Sequence, residues 1–294
     1  MLAIVAGTGA ALVFATVTLC NSRSSRMIGP SQLLAWVMLI GLAIVAPLVA
    51  LEGVPDGLDA ASGAWLAVAG IGNVVGLLLA YAALRIGKVG IVAPVVATQG
   101  AVAAVLAVVG GESIGAGSGL MLAVIAVGVV LAGLATEPRE AADRGGKAGG
   151  RKAADAPESR AMAFALGAAF AIGCSLYATA RASIDLPVVW ALLPSRLIGV
   201  AAVTLPLALR TGLKMTREAL PLVATAGVFE VLGFALFALG ARHGIAVSAV
   251  LASQFAAIAA VAAYFLFGER LARIQLAGVG LIVVGVGVLS ALEA

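Results

Sequence analysis

Apolar positions in this chain fall in long unbroken runs, with no alternation of apolar and polar residues. The runs cover 1–20, 31–51, 60–84, 89–111, 114–135, 161–180, 187–209, 219–241, 245–267 and 273–292, separated by short polar punctuation. Within the body of a run, the charged residues are Arg196 in the seventh and Glu230 in the eighth. A helix needs about 20 apolar residues to cross a bilayer, whereas a barrel strand needs about ten and alternates with period two. Runs of this length, apolar on every side, predict ten transmembrane helices. The first lacks the basic n-region and cleavage site of a signal peptide, so it counts as a span.

Composition narrows the class. With 63% hydrophobic and 11% charged residues and a mean hydropathy of +1.16, the chain cannot cover a soluble globule, whose residues are about one quarter charged. It is also far too apolar to be disordered. Glycine, 37 of 294 residues, suits membrane helices that associate through small residues. Cys20 and Cys174 both lie in apolar runs and form neither a disulfide framework nor a metal-ligand pair. The net charge of +4 fits loops beside an anionic membrane surface. No basic-aromatic stretch suggests a nucleic-acid partner.

The segment 136–160, TEPREAADRGGKAGGRKAADAPESR, is the one long hydrophilic stretch. Its Ala, Gly and mixed charge predict a flexible linker between a first five-helix unit (1–135) and a second (161–294). Charge sets the orientation. The connections on the linker's side of the membrane hold 15 of the 18 basic residues, the other side only Arg181 and Arg242. The positive-inside rule then places the linker in the cytoplasm and both termini outside.

A shift of 157 residues lays AGIGNVVGLLLAYAALRIG (69–87) on AGVFEVLGFALFALGARHG (226–244) without a gap, and carries Gly111-Glu112 onto Gly268-Glu269 and Gly128 onto Gly285. Five spans is an odd number, so the second copy enters the membrane from the opposite side. The expected fold is all-α integral membrane, ten helices as two inverted five-helix repeats, with substrate near the midplane between them.

The stretch 235–289, in which a span ends in Gly268-Glu269-Arg270 and is followed by a Gly-rich last span, resembles the closing half of an EamA-type domain. Gly111-Glu112-Ser113 is the weaker copy. The likeness covers nearly the whole chain and is to the drug/metabolite transporter superfamily. It implies a central cavity lined by spans 1–4 and 6–9, with spans 5 and 10 as scaffold, and export as the direction. Several members of that superfamily have cytoplasmic termini, the reverse of the orientation that the charges give here.

Candidate chemistry is concentrated in few residues. Glu230 lies near the centre of span eight, where a charge costs about 3 kcal/mol on insertion scales. A buried carboxylate tends to take up a proton, which suits a proton carrier; a structural carboxylate locked to Arg196 or to a backbone donor is the alternative. Its repeat mate is Asn73, and Gly76 and Gly233, one turn on, leave room beside the two. Glu230 shares a helix face with Phe234 and Phe237. Arg196, one turn past the break expected at Pro194, either holds a substrate anion or is the permanent partner of Glu230. Gln99 and Gln254, in spans four and nine, carry amides that their own helices cannot satisfy, and Tyr177 suits a cavity wall. Pro94 predicts a kink in span four. Most intramembrane Ser and Thr are read as bonded back to their own helix. His243, in a short connection, is read as solvated, Glu112 and Glu269 as helix-end anchors, and Trp36, Trp65 and Trp190 as interfacial aromatics.

Enzyme classes fail on inventory. No Walker loop, nucleophile elbow, metal cluster or paired intramembrane carboxylate is present, so no cofactor or metal is expected. What remains is a secondary transporter of small organic metabolites or drugs, proton-coupled or exchanging, in a bacterial inner membrane, as monomer or homodimer. The rival readings are a carrier of an anionic or lipid-linked substrate recognised by Arg196 without protons, and a non-transporting scaffold. The orientation is directly testable. In a cysteine-free chain, Gly146→Cys should react in intact cells with membrane-permeant thiol reagents alone. Labelling by an impermeant reagent would invert every side assigned above.

Overall fold

The computed structural model describes residues 2–86, 95–133, 151–267 and 273–292, and helix is their regular structure. In chain order the elements are α1 (Leu2–Ile28), α2 (Pro30–Glu52), α3 (Ala60–Ile86), α4 (Gln99–Val109), α5 (Ala116–Gly133) and α6 (Arg151–Asp185). They continue with α7 (Val188–Arg210), α8 (Leu220–Ala241), α9 (Ile245–Ala252), α10 (Phe255–Phe267) and α11 (Arg273–Leu292). Six of these, α1, α2, α3, α6, α7 and α8, are long and apolar enough to cross a membrane. The other apolar helices are shorter.

Local chemistry sets several boundaries. Gly29, at φ +86°, turns the chain, and Pro30 opens α2, where its missing N–H costs nothing. Asp59 and Ser62 form a reciprocal cap at the start of α3: the Ser62 N–H donates to Asp59 Oδ1 at 2.7 Å and the Asp59 N–H to Ser62 Oγ at 2.9 Å. These donors hold the Asp59 carboxyl below its ordinary range. α6 begins at Arg151, so residues 151–160 continue the span N-terminally as helix.

Two expected spans are interrupted. The run 89–111 yields one helical turn at 95–97, a turn at Thr98, and then α4. The run 245–267 is broken at Ser253–Gln254 into α9 and α10. The kink expected at Pro94 lies outside the described residues, as do Gly268 and Glu269.

The packing partners come in pairs that exchange when the two halves are swapped. α3 lies along α6 as α1 lies along α8; α1 packs on α9 as α6 packs on α4; α3 meets α7 as α8 meets α2. α5 against α11, α4 against α9 and α2 against α7 are each their own counterpart. Glycines matched by the 157-residue shift sit at several of these contacts. A Cβ at Gly70 would lie 2.7 Å from Ile198 Cδ1 and 2.9 Å from the Pro194 carbonyl carbon, on α7; one at Gly227 would lie 2.8 Å from Ile40 Cγ2, on α2. Gly76 is closed over by Ile172 and Ala168 of α6, and Gly233 by Phe14 of α1. The room expected beside these last two glycines is therefore filled: they are contact points between helices. Gly128 and Gly285 do the same for α5 and α11.

Overpacking should follow. Gly70→Val and Gly227→Val should each lower stability in detergent by about 1–3 kcal/mol, read from denaturation of purified protein. Gly63→Ala, on the same helix as Gly70 but with nothing within 4 Å, should leave it unchanged.

Candidate substrate and coupling site

Arg196 is the largest fully buried side chain among the described residues, at 0% exposure. It reaches that position because α7 is pressed against both α2 and α8, and because small residues make a notch for it. A Cβ at Gly41 of α2 would stand 2.8 Å from Arg196 Cδ and 3.0 Å from Nε. Gly199, one turn on, lets the Met38 side chain lie against the α7 backbone. Any larger residue at position 41 would displace the guanidinium.

The guanidinium meets three groups. Nη1 is 3.2 Å from Glu230 Oε1 and donates to Met38 Sδ at 3.7 Å. The Phe234 ring lies 5.6 Å from Arg196 Cζ, within cation–π range. Glu230 itself is 7% exposed. The pair is thus removed from water, and removal is costly unless hydrogen bonds complete it. Here they do not: Arg196 Nε and Nη2 and Glu230 Oε2 are buried and without a hydrogen-bond partner. Two donors and one acceptor stand unsatisfied around one ion pair. That is the arrangement of a site that can take a hydrogen-bonding solute, and also of a pair that can be prised apart.

Of the candidate residues singled out from the sequence, Arg196, Glu230 and Phe234 come together. Phe237 turns into the apolar core, 0% exposed. Asn73 lies on α3, which packs on α7 but makes no substantial contact with α8. It is buried, with its Nδ2 unpartnered. Gln99 follows the break in the fourth span and Gln254 lies in the break of the ninth. Those breaks abut where Gly100 lies against Ala249 and Ser253. Gln99 Oε1 and Gln254 Nε2 also have no partner. Tyr177 stacks edge-on to Trp65, centroids 5.6 Å apart, with its hydroxyl end over Gly110 at the close of α4. It closes one end of the bundle.

Met38, Gly41 and Tyr81 emerge only from the structure. Tyr81 of α3 packs into the Met38 cluster. A methionine, a glycine and a tyrosine among many apolar residues carry no sequence signal for such a role. A cavity of about 290 Å³ lies elsewhere, between α4, α5 and the break after α9, with Ala97, Thr98, Ala101, Val130 and Ser253 in its wall. Its hydroxyls are already bonded to their own helices, Thr98 to Val95 O at 2.6 Å and Ser253 to Val250 O at 2.7 Å. Chemistry and void therefore do not coincide, and the polar chemistry marks the candidate site.

Other intramembrane hydroxyls divide. Thr16 and Thr18 bond back to Leu12 O and Phe14 O, as expected, whereas Ser175 donates across to Ala69 O at 2.6 Å and Thr204 to Ala35 O at 3.0 Å. His243 is exposed, 3.4 Å from Leu239 O. The Trp36 and Trp190 indoles donate to Lys214 O and Gly53 O at the two membrane edges.

Helices of this length and apolarity, with a buried ion pair among them, define a polytopic membrane protein. The chain belongs to the EamA-like transporter family, whose model matches residues 1–134 and again 159–291. It is thereby a membrane transporter of small molecules. A solved crystal structure shares the fold at TM-score 0.75 and 18% identity, over 99% of this chain and 96% of that one. None of the curated proteins compared matches.

The pairing makes a testable demand. Arg196→Leu or Glu230→Leu alone strands a buried charge and should cost about 3–5 kcal/mol. The double replacement should recover most of that loss, as measured by denaturation of purified protein. If the two losses simply add, the ion pair does not hold the helices together.

Proposed function

We propose that the protein is a secondary active carrier that moves small organic metabolites or drugs by alternating access, with the Arg196–Glu230 pair as its binding and coupling centre. The carrying observation is the unsatisfied buried pair: Nε, Nη2 and Oε2 are free in a place where each unmade hydrogen bond costs about 1–3 kcal/mol. A solute that supplies hydrogen-bonding groups to both members relieves that cost. A proton on Glu230 relieves it differently, by removing the charge that holds Arg196. Competition between solute and proton for one pair is the simplest means of coupling their movements.

The architecture supports alternation. The exchange of packing partners between halves fits ten spans arranged as two inverted five-helix repeats, with the interrupted fourth and ninth spans packed on each other. The charge distribution supports a cytoplasmic linker and extracytoplasmic termini in a bacterial inner membrane. Export rests on the resemblance alone. The two free nitrogens of Arg196 favour a second reading, in which an anionic or lipid-linked substrate is gripped by the guanidinium and no proton takes part.

Glu230→Gln separates the two. It keeps shape and hydrogen bonding while removing the titratable proton. In proteoliposomes screened with labelled metabolites, the variant should still exchange substrate but lose accumulation driven by a pH gradient by about tenfold or more. Unchanged gradient dependence would assign Glu230 a structural role. Arg196→Lys keeps charge but loses the planar fork. If the second reading holds, it should weaken affinity about tenfold or more while exchange at saturation continues.

A further inference from the structure

Glu112 stands apart from the central pair and does something that the family's Gly-Glu signature does not by itself explain. α4 ends in a Schellman turn. The Glu112 N–H bonds to Ala107 O at 3.0 Å and the Gly111 N–H to Val108 O at 3.0 Å, with Gly111 at φ +99°. That turn aims the Glu112 side chain out of the first half and onto the start of α9 in the second. Glu112 Oε2 accepts from the Ile245 N–H at 3.2 Å, and Oε1 and Oε2 accept from the Ala246 N–H at 3.3 Å.

Those N–H groups have no other local acceptor. The first N–H groups of a helix lack intrahelical partners, and the residue before α9 is Gly244, at φ +156°, which has no side chain to cap them. The cap therefore comes from the other half of the molecule. A carboxylate at a helix N-terminus is favoured by both hydrogen bonding and the helix dipole. The contact is half-buried, and burial pushes the Glu112 carboxyl up while the Ala246 and Ile245 N–H groups pull it down. Around it, on the same membrane edge, Tyr177 closes over Gly110, and Arg242 donates to Ser183 O at 2.6 Å and Leu186 O at 2.8 Å.

We infer that the Glu112 carboxylate is a latch between the two halves, holding this edge of the carrier shut by capping α9 and opening when α4 and α9 part. The inference rests on the alternating-access reading for the purpose of opening. The latch itself is tested without substrate.

The test uses the full chain with Cys20→Ala and Cys174→Ala, carrying one of two reporters. Ser248→Cys sits one turn inside α9, fully buried and 3.4 Å from Ala3 O. Thr204→Cys is buried towards the opposite edge, beside Ala35. Each is labelled with a water-soluble maleimide in detergent and in liposomes. Glu112→Ala should speed labelling of the first reporter about fivefold, the shift expected on losing one helix cap, and leave the second unchanged. Glu112→Gln keeps an acceptor but loses the charge and should give a smaller rise, which also covers the case in which Glu112→Ala does not fold. No change at the first reporter in either variant, or equal rises at both reporters, would overturn the latch. Neither result bears on whether Glu230 couples transport, so failure of the latch and failure of the carrier reading remain distinguishable.

Discussion

Hydrocarbon gives two helices no gain for burying leucine against leucine, because lipid chains are as apolar as the side chains they would replace. Close approach of backbones must hold this protein together, and that constraint organises the rest. Gly70 admits Pro194 and Ile198, Gly227 admits Ile40, Gly76 admits Ile172 and Gly233 admits Phe14. Each pair of repeat-related glycines serves the same kind of contact on exchanged helices. One packing solution, used twice, aligns α3 and α8 with α7 and α2 respectively and thereby decides where Arg196 can sit.

The same solvent makes polar groups expensive, so the pair retained within the spans stands out. A bundle built only for stability would replace Arg196 and Glu230 by hydrocarbon of similar volume, since a buried pair is often no better than such a replacement. Here the pair is kept, is notched in by Gly41 and is left with three polar atoms unsatisfied. Elsewhere hydroxyl and indole groups find partners: Ser175 and Thr204 donate to carbonyls of neighbouring helices, and the Trp36 and Trp190 indoles to loop carbonyls at the edges. The unsatisfied groups include the ion pair and the buried amides of Asn73, Gln99 and Gln254, while these hydroxyls and indoles have their partners.

Much of this was legible in the sequence for a physical reason. Hydrocarbon thickness is a ruler, so long apolar runs such as those of α2 and α8 declare themselves by length. Glycines at backbone contacts recur in register because both halves need them. The ion pair could be suspected, since Arg196 and Glu230 are the charges within the body of the apolar runs, but pairing depends on how α7 rotates against α8, which no one-dimensional pattern encodes. Met38 and Gly41 stayed hidden for the same reason: an apolar or small residue in a span has no signature until its neighbour is known. The break at Ser253–Gln254 was equally silent, as neither proline nor glycine marks it. The space expected beside Gly76 and Gly233 was misjudged because a glycine in lipid attracts another helix in place of leaving a gap.

The backbone carrying Arg196 is itself interrupted. Pro194 lies inside the helix two residues before the arginine, and residues Val200–Thr204 form a π-turn four residues after it. Proline removes one hydrogen bond from the ladder, and a π-turn inserts an extra residue into it. Arg196 thus sits on a short α-helical piece with a weakened joint on either side. Glu230, by contrast, sits on α8, which runs as unbroken α-helix from Leu220 to Ala241. If the pair is to part, it is the arginine's segment that can tilt at low cost, turning between its two joints while α8 stays fixed against α1. The ion pair and the interrupted helix belong to one design: charge sets the position of the guanidinium, and the local backbone decides how easily it can be given up.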